Sequence, residues 1–354
     1  MKKKVVLLGP YPPPYGGVSI YTSTLFHFLK DRGLHLWTYG DREVPGSNVH
    51  YLHAKRSQLV PLLLREGRGA RIVDCTHFLV EYPSLLVPLW VILKRFLGFE
   101  WLKIIHDGSL PARYQEFSSR RRMLLRQSLS GVDEFVTVSE ELRTWLLDVM
   151  HVQQEVVVIK SLFPPTQSEI DLTADLEKNL VSFLTGSQRI VSIGVFIPDY
   201  GFAHIAEAVE RLREESGKDI QLLLLDGDFA SDEAYRSQVL QNRSWITVLR
   251  NVPHPQVFSI LKKCDVFARG FGRESLGLSR IEAIWCGLPV VATNAGETRG
   301  MLTYEFGNVA ELTTQLKRAL AGDRAAETAK WAKLYSEEAE ENLKQITTKL
   351  GLDS

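Results

Sequence analysis

Two carboxylates, Glu274 and Glu282, stand with seven residues between them in Arg269-Gly-Phe-Gly-Arg-Glu-Ser-Leu-Gly-Leu-Ser-Arg-Ile-Glu282. The glycine-broken turn runs into a helix expected to start near Leu278, whose first open backbone N–H groups, on Gly277, Leu278 and Ser279, suit a phosphate. On one continuous helix the two carboxylates would lie about 12 Å apart along the axis, beyond the roughly 5 to 9.5 Å of an acid and base pair that cleaves glycosidic bonds. They read instead as two grips for vicinal hydroxyls, with phosphates held between them. The competing reading makes Glu274 a helix-terminal charge and Glu282 a solvated helix residue. Arg269 and Arg273 lie on the same loop.

Positioning such a segment takes strands that stop where it begins. Short apolar runs rich in β-branched residues alternate with longer amphipathic ones: Val5 to Leu8, a helix over Val18 to Asp31, then Leu34 to Tyr39, Ile72 to Cys75, Leu102 to Ile105, Phe135 to Val138 and Val156 to Ile159. That rhythm predicts a parallel sheet with crossover helices. Ser161-Leu-Phe-Pro-Pro-Thr-Gln167 interrupts it as a linker. The rhythm restarts with Arg189 to Ile193, a helix from about Phe202 to Glu214, Ile220 to Leu225, Ile246 to Leu249, Val266 to Ala268 and Val290 to Thr293. The fold class is therefore α/β, with two doubly wound domains over 1–163 and 164–335. The tail from Ala325 to Leu350, rich in Ala, Glu, Lys and Leu, reads as one long helix.

A chain of 354 residues accommodates two such domains. Its 42 basic and 42 acidic residues argue against a dedicated nucleic-acid binder. Cys75, Cys264 and Cys286 lack metal-ligand spacing and read as buried thiols of a reducing compartment. The apolar run after Met1-Lys-Lys-Lys ends at Gly9-Pro10, too early for a signal peptide. The stretch Pro83 to Leu93 falls short of the ~20 residues of a membrane span. A soluble cytoplasmic protein is expected.

The Glu274-x7-Glu282 pattern, followed by Ala283, Cys286-Gly-Leu-Pro-Val-Val-Ala-Thr293 and Gly296, resembles the retaining GT-B glycosyltransferases of family 4, the group 1 glycosyltransferases. The resemblance implies two Rossmann-like domains facing each other across a cleft. The first would bind the acceptor and the second a nucleotide-diphosphate sugar, and the last helix, about 336–354, would pack back on the first. It implies catalytic roles for Glu274 and His106, and donor contacts from Gly16, Gly17, Arg269, Arg273, Gly277, Leu278, Ser279 and Glu282. Asp107 would meet the acceptor, a glycan or polyprenyl-linked glycan of cell-surface polysaccharide synthesis. No cofactor and no metal are expected. Gly16-Gly17 follows the first strand in Tyr11-Pro-Pro-Pro-Tyr-Gly-Gly17, and His106 ends another strand in Ile104-Ile-His-Asp-Gly108.

The departures matter as much. Family members usually open the second domain with G-R-x-x-x-x-K-G, whose cations clamp the diphosphate; here Val195 and Tyr200 occupy those places in Gly194-Val-Phe-Ile-Pro-Asp-Tyr-Gly201. Arg269 is the expected substitute. Without one, the chain would be an inactive binding partner of another transferase; a sugar-nucleotide epimerase of the same fold is a further alternative. Asp226-Gly-Asp228 has the form of a metal-binding Asp-x-Asp, but its place favours a turn. Arg113, Arg120-Arg-Arg122 and Arg126, interleaved with Met123, Leu124, Leu125 and Leu129, form a basic amphipathic segment with two readings: a peripheral contact with an anionic membrane at its inner face, or a solvated face.

Overall fold

The structure is a computed structural model that describes residues 3–13, 15–39, 46–52, 58–77, 79–80, 86–165, 171–227, 231–274 and 276–353. The chain divides into two compact units, residues 1–166 with 339–354, and residues 167–338.

Seven strands build the sheet of the first unit: β1 (Val5–Pro10), β2 (Leu34–Tyr39), β3 (Val49–Tyr51), β4 (Arg71–Asp74), β5 (Glu100–Ile105), β6 (Glu134–Thr137) and β7 (Glu155–Val158). Their order is β3-β2-β1-β4-β5-β6-β7, and every pairing is parallel. These strands are apolar on both sides because helices cover both faces. On one face Val6, Leu8, Ile72, Trp101 and Phe135 share a core with Leu63, Trp90 and Leu129 of the helices Leu59–Glu66, Leu86–Leu97 and Ser119–Gly131. On the other, Val5, Leu7, Val73, Leu102 and Val136 pack with Tyr21 and Leu25 of the helix Gly17–Leu29 and with Ile346 and Leu350 of the last helix. The apolar stretch beginning at Pro83 thus ends in a covering helix of the sheet. Among the described residues no helix is long and apolar enough to cross a membrane.

The second unit repeats the plan with β8 (Gln188–Gly194), β9 (Ile220–Asp226), β10 (Ile246–Arg250), β11 (Val266–Arg269), β12 (Val290–Thr293) and β13 (Leu302–Tyr304), ordered β10-β9-β8-β11-β12-β13 and again all parallel. Ile190, Leu222, Val266 and Val291 pack against Ile205 and Val209 of the helix Phe202–Ser216 and Leu312 and Leu316 of the helix Val309–Leu320. The three-residue strands β3 and β13, at the sheet edges, are the ones the apolar rhythm does not announce.

The linker expected at Ser161–Gln167 starts inside the first unit. Leu162 and Phe163 are buried, the Phe163 ring lies 5.1 Å from that of Tyr21, and the Leu162 carbonyl accepts from Asn342 Nδ2 at 3.2 Å. The final helix, Ala325–Leu350, gives its first turns to the second unit and residues 339 onward to the first. Lys349 secures that end on Glu134 (2.6 Å) and Glu155.

Candidate functional site

In doubly wound sheets, ligands meet the carboxyl ends of adjacent strands whose connections leave in opposite directions. In the second unit those strands are β8 and β11. The loop after β8 carries Val195 to Gly201 and the loop after β11 carries Gly270 to Gly277, so the segment with Glu274 sits where the topology predicts a ligand. The two loops touch through backbone: a Cβ on Gly270 would lie 2.6 Å from the Tyr200 carbonyl oxygen, and one on Gly201, at φ +65°, 2.7 Å from the Gly270 oxygen. Only glycine permits that approach.

Arg269, the last residue of β11, fastens the loops together. Its Nε and Nη2 donate to Glu274 Oε2 at 2.8 Å and its Nη1 donates to the Ile193 carbonyl oxygen of β8. The Tyr200 ring lies 5.0 Å and the Phe271 ring 5.5 Å from the guanidinium carbon, and the two rings stack on each other at 4.5 Å. Both members of the ion pair are nearly buried, with side chains 10% and 11% exposed. Arg269, expected to reach a diphosphate, is turned inward onto Glu274 instead. Val195 is wholly buried, and Tyr200 packs on the guanidinium, so aromatic packing fills the region where the resembled pattern has cations. Arg273 is 68% exposed and pairs with Asp199 across the two loops. Such surface pairs part at little cost.

Behind Glu274, Gly277 caps the helix Leu278–Trp285 at φ +75°; a Cβ there would stand 2.9 Å from both Glu274 Cγ and Arg280 Cδ. Arg280 is fully buried. Its Nη1 donates to the Ala295 carbonyl at 2.5 Å, and its Nη2 to Thr293 Oγ1 at 2.9 Å, whose hydroxyl in turn donates to the Phe271 carbonyl at 2.6 Å. Burial pushes the Arg280 pKa down to about 10, which leaves it charged at neutral pH. The helix N-terminus at Gly277, Leu278 and Ser279 is thus locked to the ends of β11 and β12.

Glu282 is buried and its Oε1 lies 2.6 Å from Nε2 of His254, the first residue of the helix His254–Leu261. Burial disfavours the charged imidazole, yet the Glu282 charge and hydrogen bond outweigh it and raise the pKa above 6.5. A raised histidine pKa contributes stability that is full below the unfolded value and is lost as pH climbs through the folded one. The unfolding midpoint of the second unit is therefore expected to fall as pH rises from about 6.5, and His254→Asn to flatten that dependence; equal slopes in the two proteins would count against the pair.

In the first unit the direction changes between β1 and β4. Gly16 caps the helix Gly17–Leu29 in an extended conformation, with its N–H donating to Ser19 Oγ and its carbonyl accepting from that hydroxyl, both at 3.0 Å. Neither Gly16 nor Gly17 has positive φ, and a Cβ on either would meet no protein atom within 4 Å. Nothing in the described fold demands glycine at either position. Pro14 of the same motif lies outside the described residues. His106 follows β5, its Nδ1 3.1 Å from Ser161 Oγ and its ring edge-on to Tyr21 at 4.4 Å. Asp107 is committed to its own turn: Oδ1 accepts from the Ser109 N–H (2.9 Å) and hydroxyl (2.6 Å), and Oδ2 pairs with Arg113.

Sequence reasoning missed Lys103, fully buried beneath His106 on β5 and 3.7 Å from the equally buried Asp74; a lysine inside the apolar run Trp101-Leu-Lys-Ile-Ile105 was the available signal. Asp226 is buried 3.9 Å from Arg236 and 3.6 Å from Arg250. Asp228 lies outside the described residues, and among those described no cluster of three His, Cys, Asp or Glu could hold a metal. The basic segment Arg113 to Leu129 is two helices, Leu110–Glu116 and Ser119–Gly131, with Leu124, Leu125 and Leu129 facing the core rather than a membrane.

Residues 177–335, which contain the β8 and β11 loops, match the family model described as glycosyl transferases group 1. The second unit is a group 1 glycosyltransferase domain. The transferase is 22% identical over 303 residues to an uncharacterized glycosyltransferase of Methanocaldococcus jannaschii, covering 83% of this chain and 79% of that one. To the 2-deoxystreptamine glucosyltransferase of Streptomyces kanamyceticus it is 26% identical over 284 residues, covering 71% and 72%. Its two parallel sheets share the fold of Anabaena HepE, solved with UDP and glucose (TM-score 0.73, 15% identity, 99% and 100% covered). They also share that of a UDP-forming α,α-trehalose-phosphate synthase from Burkholderia xenovorans (TM-score 0.72, 13% identity, 99% of each chain covered).

Proposed function

We propose that this glycosyltransferase moves a sugar from a nucleotide-diphosphate sugar, with retention of anomeric configuration, to a glycan or lipid-linked glycan acceptor in cell-surface polysaccharide synthesis. The observation that carries the donor part is the nearly buried Arg269–Glu274 pair at the β8/β11 switch point, beside a helix N-terminus locked by Arg280. Glu274 grips the sugar hydroxyls; Glu282, braced by His254, takes the ribose; Gly277, Leu278 and Ser279 present N–H groups to the diphosphate, and Arg273 swings from Asp199 to meet it. Arg269 acts as the positioning residue of Glu274. The leaving phosphate oxygen accepts the acceptor proton, so no strong protein base is required. Gly16, Gly17 and His106 join the reaction on the strength of the sequence resemblance and the open space over the two glycines.

The absence of cations at Val195 and Tyr200 favours a second reading, a binding partner that no longer transfers sugar. Thermal shift separates the two. UDP or UDP-glucose is the first choice, because HepE is solved with UDP and glucose. An authentic donor at about 100-fold its dissociation constant should add about 2 to 3 kcal/mol of stability. No stabilisation by any UDP or GDP derivative would rule out the transferase reading for this site. We propose further that binding needs no metal, so chelation should leave the shift intact; its loss would bring Asp226 back as a ligand.

A further inference from the structure

Apart from Lys94 and Arg95 in its last turn, the helix Leu86–Leu97 of the first unit is apolar all round. Its inner face, with Val87, Trp90 and Leu97, is buried on the sheet. Its outer face carries Leu89, Ile92 and Phe96, spaced i, i+3, i+7 along one stripe and 39%, 63% and 81% exposed. A helix hydrophobic all round is ordinarily enclosed. Here the neighbouring helices extend the apolar ground: Leu64 on Leu59–Glu66 is 51% exposed and Met123 on Ser119–Gly131 is 61% exposed. These helices cover the same face of the sheet, so their outer sides form one surface.

The charge on that layer is one-sided. The helices Leu59–Glu66, Leu86–Leu97, Leu110–Glu116 and Ser119–Gly131 carry eight Lys or Arg against Glu66 and Glu116, in a chain whose total charge is balanced. Arg95, Arg120 and Arg126 are exposed on it. Three of these cations are already paired with carboxylates, Arg65 with Glu66, Lys94 with Asp133 at 2.7 Å and Arg113 with Asp107, so the excess rests on Arg95 and on Arg120, Arg121, Arg122 and Arg126. An apolar stripe rimmed by cations complements a surface with an acyl interior and anionic headgroups. A protein partner would need acidic residues around an apolar knob, whereas the breadth of the basic layer over several helices fits an extended charged plane.

We infer that this helix layer docks the first unit on an anionic lipid bilayer, with Ile92 and Phe96 entering the headgroup boundary and the arginines meeting lipid phosphates. The expected Arg113–Leu129 segment supplies cations to this surface, while the apolar anchor comes from the helix before it. The inference does not depend on sugar transfer.

The test is cosedimentation of the full chain with vesicles of phosphatidylcholine alone or mixed with phosphatidylglycerol. Binding should appear with the anionic vesicles, weaken with salt, and drop about tenfold or more in Ile92→Ser/Phe96→Ser and in Arg95→Glu/Arg120→Glu. Because these side chains are exposed, both variants should keep the wild-type unfolding midpoint, and nucleotide binding should be unaffected. Absence of binding, equal binding to neutral vesicles, or wild-type binding by both variants would overturn the proposal. So would dissociation of an oligomer by Ile92→Ser/Phe96→Ser without vesicles, which would assign the stripe to a second copy of the chain.

Discussion

Replacing Glu274 by glutamine should lower transfer by about 100- to 1,000-fold while nucleotide affinity stays within about threefold. Glutamine keeps the size of the side chain and one carbonyl oxygen to accept from Arg269, so the loop should hold its place, at a lowered melting temperature because the guanidinium has lost its counter-charge. What disappears is a negative charge fixed in a nearly dry setting, where the side chain is 11% exposed. Positive charge develops on the donor sugar as its bond to the leaving diphosphate breaks, and a preorganised carboxylate acts on that charge only in the transition state. In the function proposed above the nucleotide binds through the helix N-terminus and Glu282, which the substitution leaves alone. Initial rates against acceptor, with a parallel nucleotide titration, separate the two effects. Unaltered turnover would show that Glu274 only positions the loop; a matching collapse of nucleotide affinity would show that the switch-point loop itself had failed.

The sequence disclosed those parts of the site that rest on local order. Strand ends, glycine turns and the Glu274–Glu282 interval are short-range features, and the apolar rhythm carries the alternation of strand and helix because parallel strands are buried on both faces. Arg269 shows what local order conceals. Its residue type and place on the loop were legible; its direction was set by Ile193 and Tyr200, some seventy residues earlier in the chain. Glu282 likewise reads as a free grip until the helix His254–Leu261 brings an imidazole onto it. The basic run after Arg113 was visible, but its leucines point inward because the sheet needs cover. The exposed stripe lies one helix earlier, in a segment whose composition alone suggests an interior. Pairings across strand order, not residue preferences, decide each of these.

Arg269→Ala is the substitution with the largest expected effect on stability. It would strand the Glu274 carboxylate in a nearly buried position, free the Ile193 carbonyl and open a void under the Tyr200 and Phe271 rings. Breaking a buried pair by removing one partner costs about 3 to 5 kcal/mol, which for a unit of this size lowers the melting temperature by about 6 to 20 °C. Removing both charges is gentler: Arg269→Ala/Glu274→Ala should be destabilised by less than the sum of the single variants, because no unpaired charge remains. Arg269→Lys should recover only part of the loss, since a point charge cannot serve Glu274 and the Ile193 carbonyl in the fixed fork that guanidinium offers. A diphosphate clamp would behave in the opposite way. Arg269→Ala would then cost nucleotide affinity at nearly unchanged melting temperature, and the lysine variant would restore binding through its charge. Melting curves with and without nucleotide on the wild type, Arg269→Ala, Glu274→Ala, the double variant and Arg269→Lys decide between a residue that holds the donor and one that holds the carboxylate facing it.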